Sequence, residues 1–193
     1  MLYKKFEGKK IYFAPIDNQN IELITKWMND ETLTRGTGRV AQVFTETAQK
    51  ELMEENSKKT DNYQFYVVRK SDDKILGIYN LHHIKQVHQF AKVGGLIGEI
   101  DERGKGYGSE ALRMLCDFAF NILNLHTLVA DIYSFNYPSI KSAEKIGFKK
   151  VGEIKECYYF GGKFYNQIIL EITKDEFNKK YKTFVLPIPD KIK

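Results

Sequence analysis

Hydrophobic and polar positions follow two different periods along this chain, and each change of period marks an element. Residues 111–123 have the clearest helical pattern, an apolar stripe with polar residues on the opposite side. The apolar stripe consists of Ala111, Leu112, Leu115, Ala119, Ile122 and Leu123. Helical spacing also recurs over 17–30 and 46–57. A shorter helix is expected to begin after Asn136 as its N-cap and to end at Gly147.

Apolar runs and period-two patterns predict strands between these helices. The predicted strands are 10–16, 62–70, 75–84, 91–100, 126–134, 150–160 and 163–173. Strands and helices interleave, but the last two strands form a hairpin around Gly161 and Gly162, which predicts an α/β (α+β) fold with a mixed sheet. Segment 31–45 has no regular pattern. The residues from Lys174 onward are predicted to form an extended, weakly packed tail.

Composition favours a single globular domain that binds a small ligand. The chain has 193 residues, of which 42% are hydrophobic, enough for one sizeable core. The formal charge of +5 is spread among acidic residues without a Lys/Arg block, which favours anionic small ligands over nucleic acid. Two cysteines fit no metal spacing, and Cys116 is expected to be a buried thiol. Without an apolar run of membrane length or a signal pattern, a cytoplasmic setting is expected.

A glycine-rich stretch, ERGKGYGS, separates a predicted strand from the strongest helix. Such a junction presents up to four free backbone N–H groups and a partial positive charge to an anion. Side chains at Gly104, Gly106 and Gly108 would hold a phosphate away, while Arg103 and Lys105 add positive charge. The spacing matches neither the P-loop nor the dinucleotide motif. A phosphate site is favoured here over a plain strand-to-helix turn.

The stretch RGKGYG resembles the arginine/glutamine-x-x-glycine-x-glycine loop of the GNAT N-acetyltransferases, which holds the pyrophosphate of acetyl-coenzyme A. The later segments IYSFNYPSIKSAEKIGF and GEIKECYYFGGKFYNQIILEI are similar to the RimJ/RimL-type branch in order and spacing. The resemblance implies a GNAT domain over 1–177 followed by a tail over 178–193. It also implies a seven-stranded sheet whose fourth and fifth strands, 92–100 and 126–133, splay apart.

The same resemblance implies where acetyl-coenzyme A binds. Its pantetheine would lie between the splayed strands and hydrogen-bond to backbone near Ile97, Gly98 and Glu99. Asn136 and Ser139 would reach the pantetheine arm and the thioester sulfur. The diphosphate would rest on Arg103, Gly104, Lys105, Gly106, Tyr107 and Gly108.

Two positions depart from the pattern of the family. Many relatives place a tyrosine, as acid toward the sulfur, seven residues after the asparagine, where this chain has Ala143. Ser139 or a water then takes that role, or the thiolate leaves unassisted. RimL-like members use a glutamate as base at the position of Tyr158. Tyr158 and its neighbour Tyr159 are predicted to line the acceptor pocket instead.

Three candidates for the general base remain: Glu99, His82 and His83. Strand alternation puts the two histidines on opposite faces, so at most one is expected to face the acceptor. For each of the three, an ordinary structural role is the competing interpretation.

The sequence therefore predicts an acetyl-coenzyme A-dependent N-acetyltransferase acting on a primary amine, either a protein α-amine or a small molecule. Neutralising an alkylammonium at pH 7 costs about 4.6 kcal/mol, against about 1 kcal/mol for an N-terminal α-amine. Polyamine or amino-sugar acceptors are alternatives, as is a non-catalytic acyl-coenzyme A-binding module, which Ala143 and Tyr158 permit. No metal, membrane or nucleic-acid partner is expected, and a homodimer is possible.

Overall fold

The architecture is that of a computed structural model, which describes residues 2–182. The strands are β1 (Phe6–Glu7), β2 (Ile11–Pro15), β3 (Tyr63–Arg69), β4 (Ile75–Lys85), β5 (Phe90–Ile97), β6 (Thr127–Tyr133), β7 (Lys149–Phe160) and β8 (Lys163–Thr173). The α-helices are α1 (Ile21–Asn29), α2 (Glu31–Thr34), α3 (Glu46–Ser57), α4 (Tyr107–Asn121), α5 (Tyr137–Ile146) and α6 (Lys174–Lys180). None of the helices within this range is long and apolar enough to cross a membrane.

The strands form one mixed sheet in the order β1-β2-β3-β4-β5-β6-β8-β7. Only β5 and β6 pair in parallel, and the other neighbours are antiparallel. The predicted mixed sheet and C-terminal hairpin are confirmed. The sheet has eight strands instead of seven because the two-residue β1 adds an edge strand to β2.

Helices cover both faces of the sheet, and the two cores have different members. Along β2, Phe13 packs into the core that contains α4, α5 and α6, while its neighbour Tyr12 packs into the core of α1 and α2. Cys116 lies fully buried on α4, as predicted. On the opposite face, Trp27 of α1 is almost fully buried. Period-two alternation thus sorts the side chains of each strand between two layers.

The sheet opens between β5 and β6. These two strands pair only over Phe90–Lys92 and Thr127–Val129, and the ladder stops there. Beyond that point β5 stays with β4 as far as Ile97, and β6 stays with β8 as far as Tyr133. The predicted splay is therefore present, and it leaves a gap in the sheet between the two strands.

The chain after β8 differs from its predicted conformation. Residues 174–180 form α6 and are not extended, because Thr173 and Glu176 make a capping box: each accepts a hydrogen bond from the backbone N–H of the other, at 3.4 and 3.0 Å. Phe177 is fully buried and packs on Phe120 of α4. The proposed boundary at residue 177 falls inside α6, and the VLPIPDKIK segment lies outside the described residues.

Candidate active site

The turn before α4 has the geometry of an anion-binding loop. Gly104 and Gly106 have φ of 77° and 90°, in the left-handed region, and a Cβ on either would meet no atom within 4 Å. The backbone N–H groups of residues 104–109 have no protein acceptor within residues 2–182. The ladder of α4 begins only where the N–H of Glu110 donates to the Gly106 carbonyl, at 3.0 Å. The free donors thus converge at one helix end.

Ion pairs beneath the loop fix its position. The buried carboxylate of Glu102 forms two ion pairs. One is with the ammonium of Lys105, at 2.9 Å, and the other is with the guanidinium of Arg69 on β3, at 2.7 Å. These two cations hold the pKa of the Glu102 carboxyl below its ordinary value. The Nε of Arg103 donates to the carbonyl of Ile97 at 3.0 Å. Lys105 is therefore paired with Glu102, whereas the backbone N–H groups of the loop have no acceptor within residues 2–182.

Gly108 has a different role from the other two glycines. A Cβ there would lie 3.1 Å from the Tyr79 hydroxyl and 3.6 Å from Cγ1 of Ile97, so its absence lets α4 pack closely on the sheet. Gly95 makes room for the same tyrosine, since its Cβ would come within 2.5 Å of the Tyr79 ring. Burial raises the pKa of Tyr79, which stays a neutral phenol.

A cavity of about 640 Å³ extends from α5 through the gap to α3 on the other face. Asn136 and Ser139 both line it, and the Asn136 side chain caps α5 by accepting from the Ser139 N–H at 3.4 Å. Ala143 lines the same wall. The sequence analysis missed Ser142, whose hydroxyl lies 2.9 Å from that of Ser109 on α4. Ser142 follows Ser139 by about one helical turn, and this spacing could have predicted that both side chains lie on the same face of α5.

The backbone expected to receive pantetheine is partly occupied. The N–H groups of Gly98 and Glu99 both donate to the Leu76 carbonyl, at 2.8 and 3.2 Å, and the Ile97 carbonyl accepts from Arg103. The end of β5 therefore bends onto β4 and does not face the gap. On the side toward β6, β5 has no strand partner from Val93 onward.

Glu99 is not brought to the cavity as a base. One carboxylate oxygen accepts from the indole N–H of Trp27 at 3.3 Å, and the other pairs with Lys74 at 2.6 Å. Glu99 is also absent from the cavity wall. Trp27 and Lys74 are far from Glu99 in the sequence, so these two contacts could not be predicted from the position of Glu99 at the end of a strand.

Both histidines of β4 line the cavity, so the prediction that at most one faces it is wrong. His83 has φ of 51°, and the pairing with β5 shifts register after His82, which breaks the alternation. The two rings lie 5.2 Å apart. Burial, followed by the nearby His83 and the cation of Lys92, lowers the pKa of His82 to about 4. Its Nδ1 lies 3.2 Å from the Asn80 carboxamide.

The two predicted pocket tyrosines occupy different places, and neither is on the cavity wall. Tyr158 stacks on Tyr133 with ring centres 4.2 Å apart, and its hydroxyl donates to the Arg35 carbonyl at 3.2 Å. Through this hydrogen bond, Tyr158 contacts the segment that follows α2. Tyr159 points the other way along β7, is 62% exposed and packs against Phe164.

A comparison with protein families shows the family of this chain. The model of the acetyltransferase (GNAT) domain matches residues 10–149. The chain belongs to the GNAT acetyltransferases. The donor of this family is acetyl-coenzyme A, and the free N–H groups, the open glycines and the gap in the sheet fit it.

Named relatives of this GNAT acetyltransferase are N-acetyltransferases. The uncharacterized N-acetyltransferase YnaD of Bacillus subtilis is 28% identical over 137 residues, which span 70% of this chain and 78% of that protein. The prophage-derived uncharacterized N-acetyltransferase YokL of the same species is 31% identical, over 66% of this chain and 71% of its own. The Vibrio cholerae spermidine N-acetyltransferase, solved with CoA and spermine, shares the fold at a TM-score of 0.83 and 18% identity, covering 89% of this chain and 99% of that one.

Proposed function

We propose that this acetyltransferase transfers the acetyl group of acetyl-coenzyme A to a primary amine inside the cavity that crosses the sheet. The observation that supports this most is the continuity of that cavity. It joins α5, next to the free amides of α4, with His82 on the opposite face. Bound acetyl-coenzyme A supplies an activated thioester. The chain supplies the binding, the orientation and the proton transfers.

Residues on the α4–α5 side are proposed to hold the donor. The N–H groups from Gly104 to Ser109 would bind the diphosphate, and Arg103 and Lys105 would add charge at its edge. Asn136 and Ser139 face the gap, where they would contact the pantetheine arm. Ser139, assisted by the hydrogen-bonded pair Ser109–Ser142, is the proposed proton source for the sulfur, since position 143 is alanine.

Residues on the α1–α3 side are proposed to prepare the amine. His82 lines the wall and is neutral at pH 7, so its ring is the proposed acceptor of the amine proton as the new C–N bond forms, although its low pKa makes it a weaker base than an ordinary imidazole. A bound ammonium near Lys92 and His82 has its own pKa lowered by burial and by like charge. An α-amine, which costs about 1 kcal/mol to neutralise at pH 7, needs the least of this help. His83, exposed beside His82, is the second candidate.

Two observations bear on the identity of the acceptor. The RimJ/RimL-like order of motifs favours a protein or peptide α-amine, whereas relatives such as the Escherichia coli spermidine N(1)-acetyltransferase, 28% identical over 112 residues, suggest a small amine. We include both in the proposal. The RimJ/RimL placement, a homodimer and a cytoplasmic setting remain predictions.

The loop is tested by Gly106→Val, with Gly162→Val as the matched control. Both glycines have positive φ and open space at Cβ, so strain at either should reduce stability similarly. Only the first is expected to block the free amides and weaken acetyl-coenzyme A binding, by about tenfold or more. Calorimetry measures the affinity. Equal affinity in the two variants would contradict the diphosphate site.

Catalysis is tested by release of free thiol from acetyl-coenzyme A in the presence of a panel of primary amines. Turnover is expected with at least one amine. Tight donor binding without turnover on any amine would indicate a binding module instead of an enzyme.

A further inference from the structure

We infer that the amine acceptor carries an anionic group, a carboxylate or a phosphate, beside the amine that is acetylated. This inference rests on the proposed function, and it names the substrate class. Charge on the cavity wall is the observation that leads to it. Besides its two histidines, the wall has five charged side chains: Arg39, Lys59, Lys92, Asp61 and Asp131.

Pairing within this set leaves positive charge facing the cavity. Lys92 of β5 is ion-paired with Asp131 of β6 across the base of the gap. Lys59 donates only to the neutral carboxamide of Asn56, at 3.1 Å. Arg39 has no acidic partner in the described part of the chain. Asp61 is exposed and is the remaining carboxylate on the described wall. Within residues 2–182, two exposed cations without an acidic partner therefore face one exposed carboxylate.

Arg39 is held close to the proposed reacting centre. Gly38, before it, has φ of 75°, and a Cβ there would lie 2.5 Å from the Tyr133 hydroxyl. Tyr133 is in turn stacked on Tyr158, whose hydroxyl binds the Arg35 carbonyl. Arg39 is also among the charges that depress the pKa of His82. An anionic group on the acceptor can thus reach Arg39 while the amine approaches His82.

Unpaired carboxamides on the same wall indicate a ligand with hydrogen-bond donors. Oε1 of Gln49 and Oδ1 of Asn62 are buried with no donor within residues 2–182, and Gln49 is only 6% exposed. A buried acceptor without a partner is costly, and the N–H groups of an amine would satisfy it. The wall therefore offers cations for an anion and oxygens for an amine.

The same charges disfavour a polyamine. A polycation needs carboxylates along its length to repay the loss of its hydration. On the described wall Asp131 is already paired with Lys92, which leaves Asp61 alone to pair with an ammonium group, and Arg39 and Lys59 would repel further ones. This chain is thus expected to differ in acceptor from the spermidine acetyltransferases whose fold it shares.

Matched acceptors test the inference. One pair is 2-aminoethyl phosphate and ethanolamine, the other is the peptide amides Ser-Asp-Phe and Ser-Asn-Phe, and spermidine is the polycation. The anionic member of at least one pair is expected to have kcat/KM about tenfold above its neutral partner, with spermidine the poorest substrate. The pair that discriminates tells a small-molecule acceptor from a peptide. Equal rates within both pairs, or spermidine as the best substrate, would overturn the inference.

Variants and direct binding separate this inference from the proposed function. The Arg39→Gln/Lys59→Gln variant should lose about tenfold in calorimetric affinity for the preferred anionic amine, measured without any acetyl donor. Lys58→Gln, an exposed lysine outside the wall, is the control and should bind like the wild type. Retained affinity in the double variant would refute the anion site even if amines are acetylated. Anion binding lost only in the double variant would support the site even if turnover were absent.

Discussion

At the scale of single residues, His82 lies in surroundings that disfavour its charged form. It is half-buried, lies against His83, and faces the cations of Lys92 and Arg39, with Asp131 as the one opposing charge. These surroundings penalise the imidazolium, so the ring stays neutral at physiological pH. A neutral ring at the cavity wall can accept a proton, but its presence also makes the folded state sensitive to acid.

His82→Gln should make the protein less sensitive to acid. The pKa of His82 is near 4 in the folded state against an ordinary 6.5, so between these values the unfolded chain binds a proton that the native state does not. Stability is therefore fully present above pH 6.5 and falls as the pH drops toward 4. Allowing for the partial exposure of the ring, the wild type should lose about 1–2 kcal/mol more than the variant.

Urea unfolding at pH 7 and pH 4.5 measures this difference. His88→Gln, at an exposed histidine on the turn between β4 and β5, is the control and should behave like the wild type. An identical pH dependence in His82→Gln and wild type would argue that His82 titrates normally.

Among the elements, α5 shows how local signals place a functional side chain. Asn136 caps the helix and Gly147 ends it, both as the sequence predicts. This frame brings Ser139 and Ala143 to the cavity on successive turns. The alanine is 1% exposed, and it occupies the position at which many relatives have a tyrosine.

Ala143→Tyr is expected to raise turnover. A phenol added at this wall position would reach into the cavity and give the departing sulfur a stronger acid than the Ser139 hydroxyl, with an increase in kcat of about tenfold or more. Steady-state kinetics measures kcat, and the KM for the amine should change little. Ala143→Phe fills the same space without a hydroxyl and should gain nothing. Equal kinetics in the two variants would show that another group already donates the proton.

Sequence patterns located the elements far better than the contacts between them. The predicted helix over 46–57 coincides with α3, because Thr45 caps it and its apolar positions keep a helical period. The bulge at His83 had no such signal, since a non-glycine residue with positive φ is rarely visible in sequence. The ion pair of Glu99 with Lys74 was equally hidden, because it depends on how β4 meets the end of β5.

At the scale of the whole molecule, α6 closes the core on the α4 side. The capping box at Thr173 and Glu176 was readable in the sequence, yet the residues from Lys174 onward were predicted to be extended and weakly packed. Phe177 is the side chain that makes the helix part of the domain, since it is fully buried against Phe120 and Tyr181.

Phe177→Ala should destabilise the protein by about 3–5 kcal/mol, because it leaves a cavity in the core. Phe164→Ala, at a ring that is 62% exposed, is the control and should cost about 1 kcal/mol or less. Denaturant unfolding monitored by the fluorescence of Trp27 measures both. Equal small losses would mean that α6 is not part of the cooperative unit.

The gap between β5 and β6 bears on the order in which the donor and the acceptor bind. Its cavity is bordered by α5 on one face of the sheet and by α3 on the other. With the donor bound on the α5 side and the acceptor on the α3 side, as proposed, neither substrate would have to pass the other. The complex of enzyme, donor and acceptor would then be able to form in either order of binding.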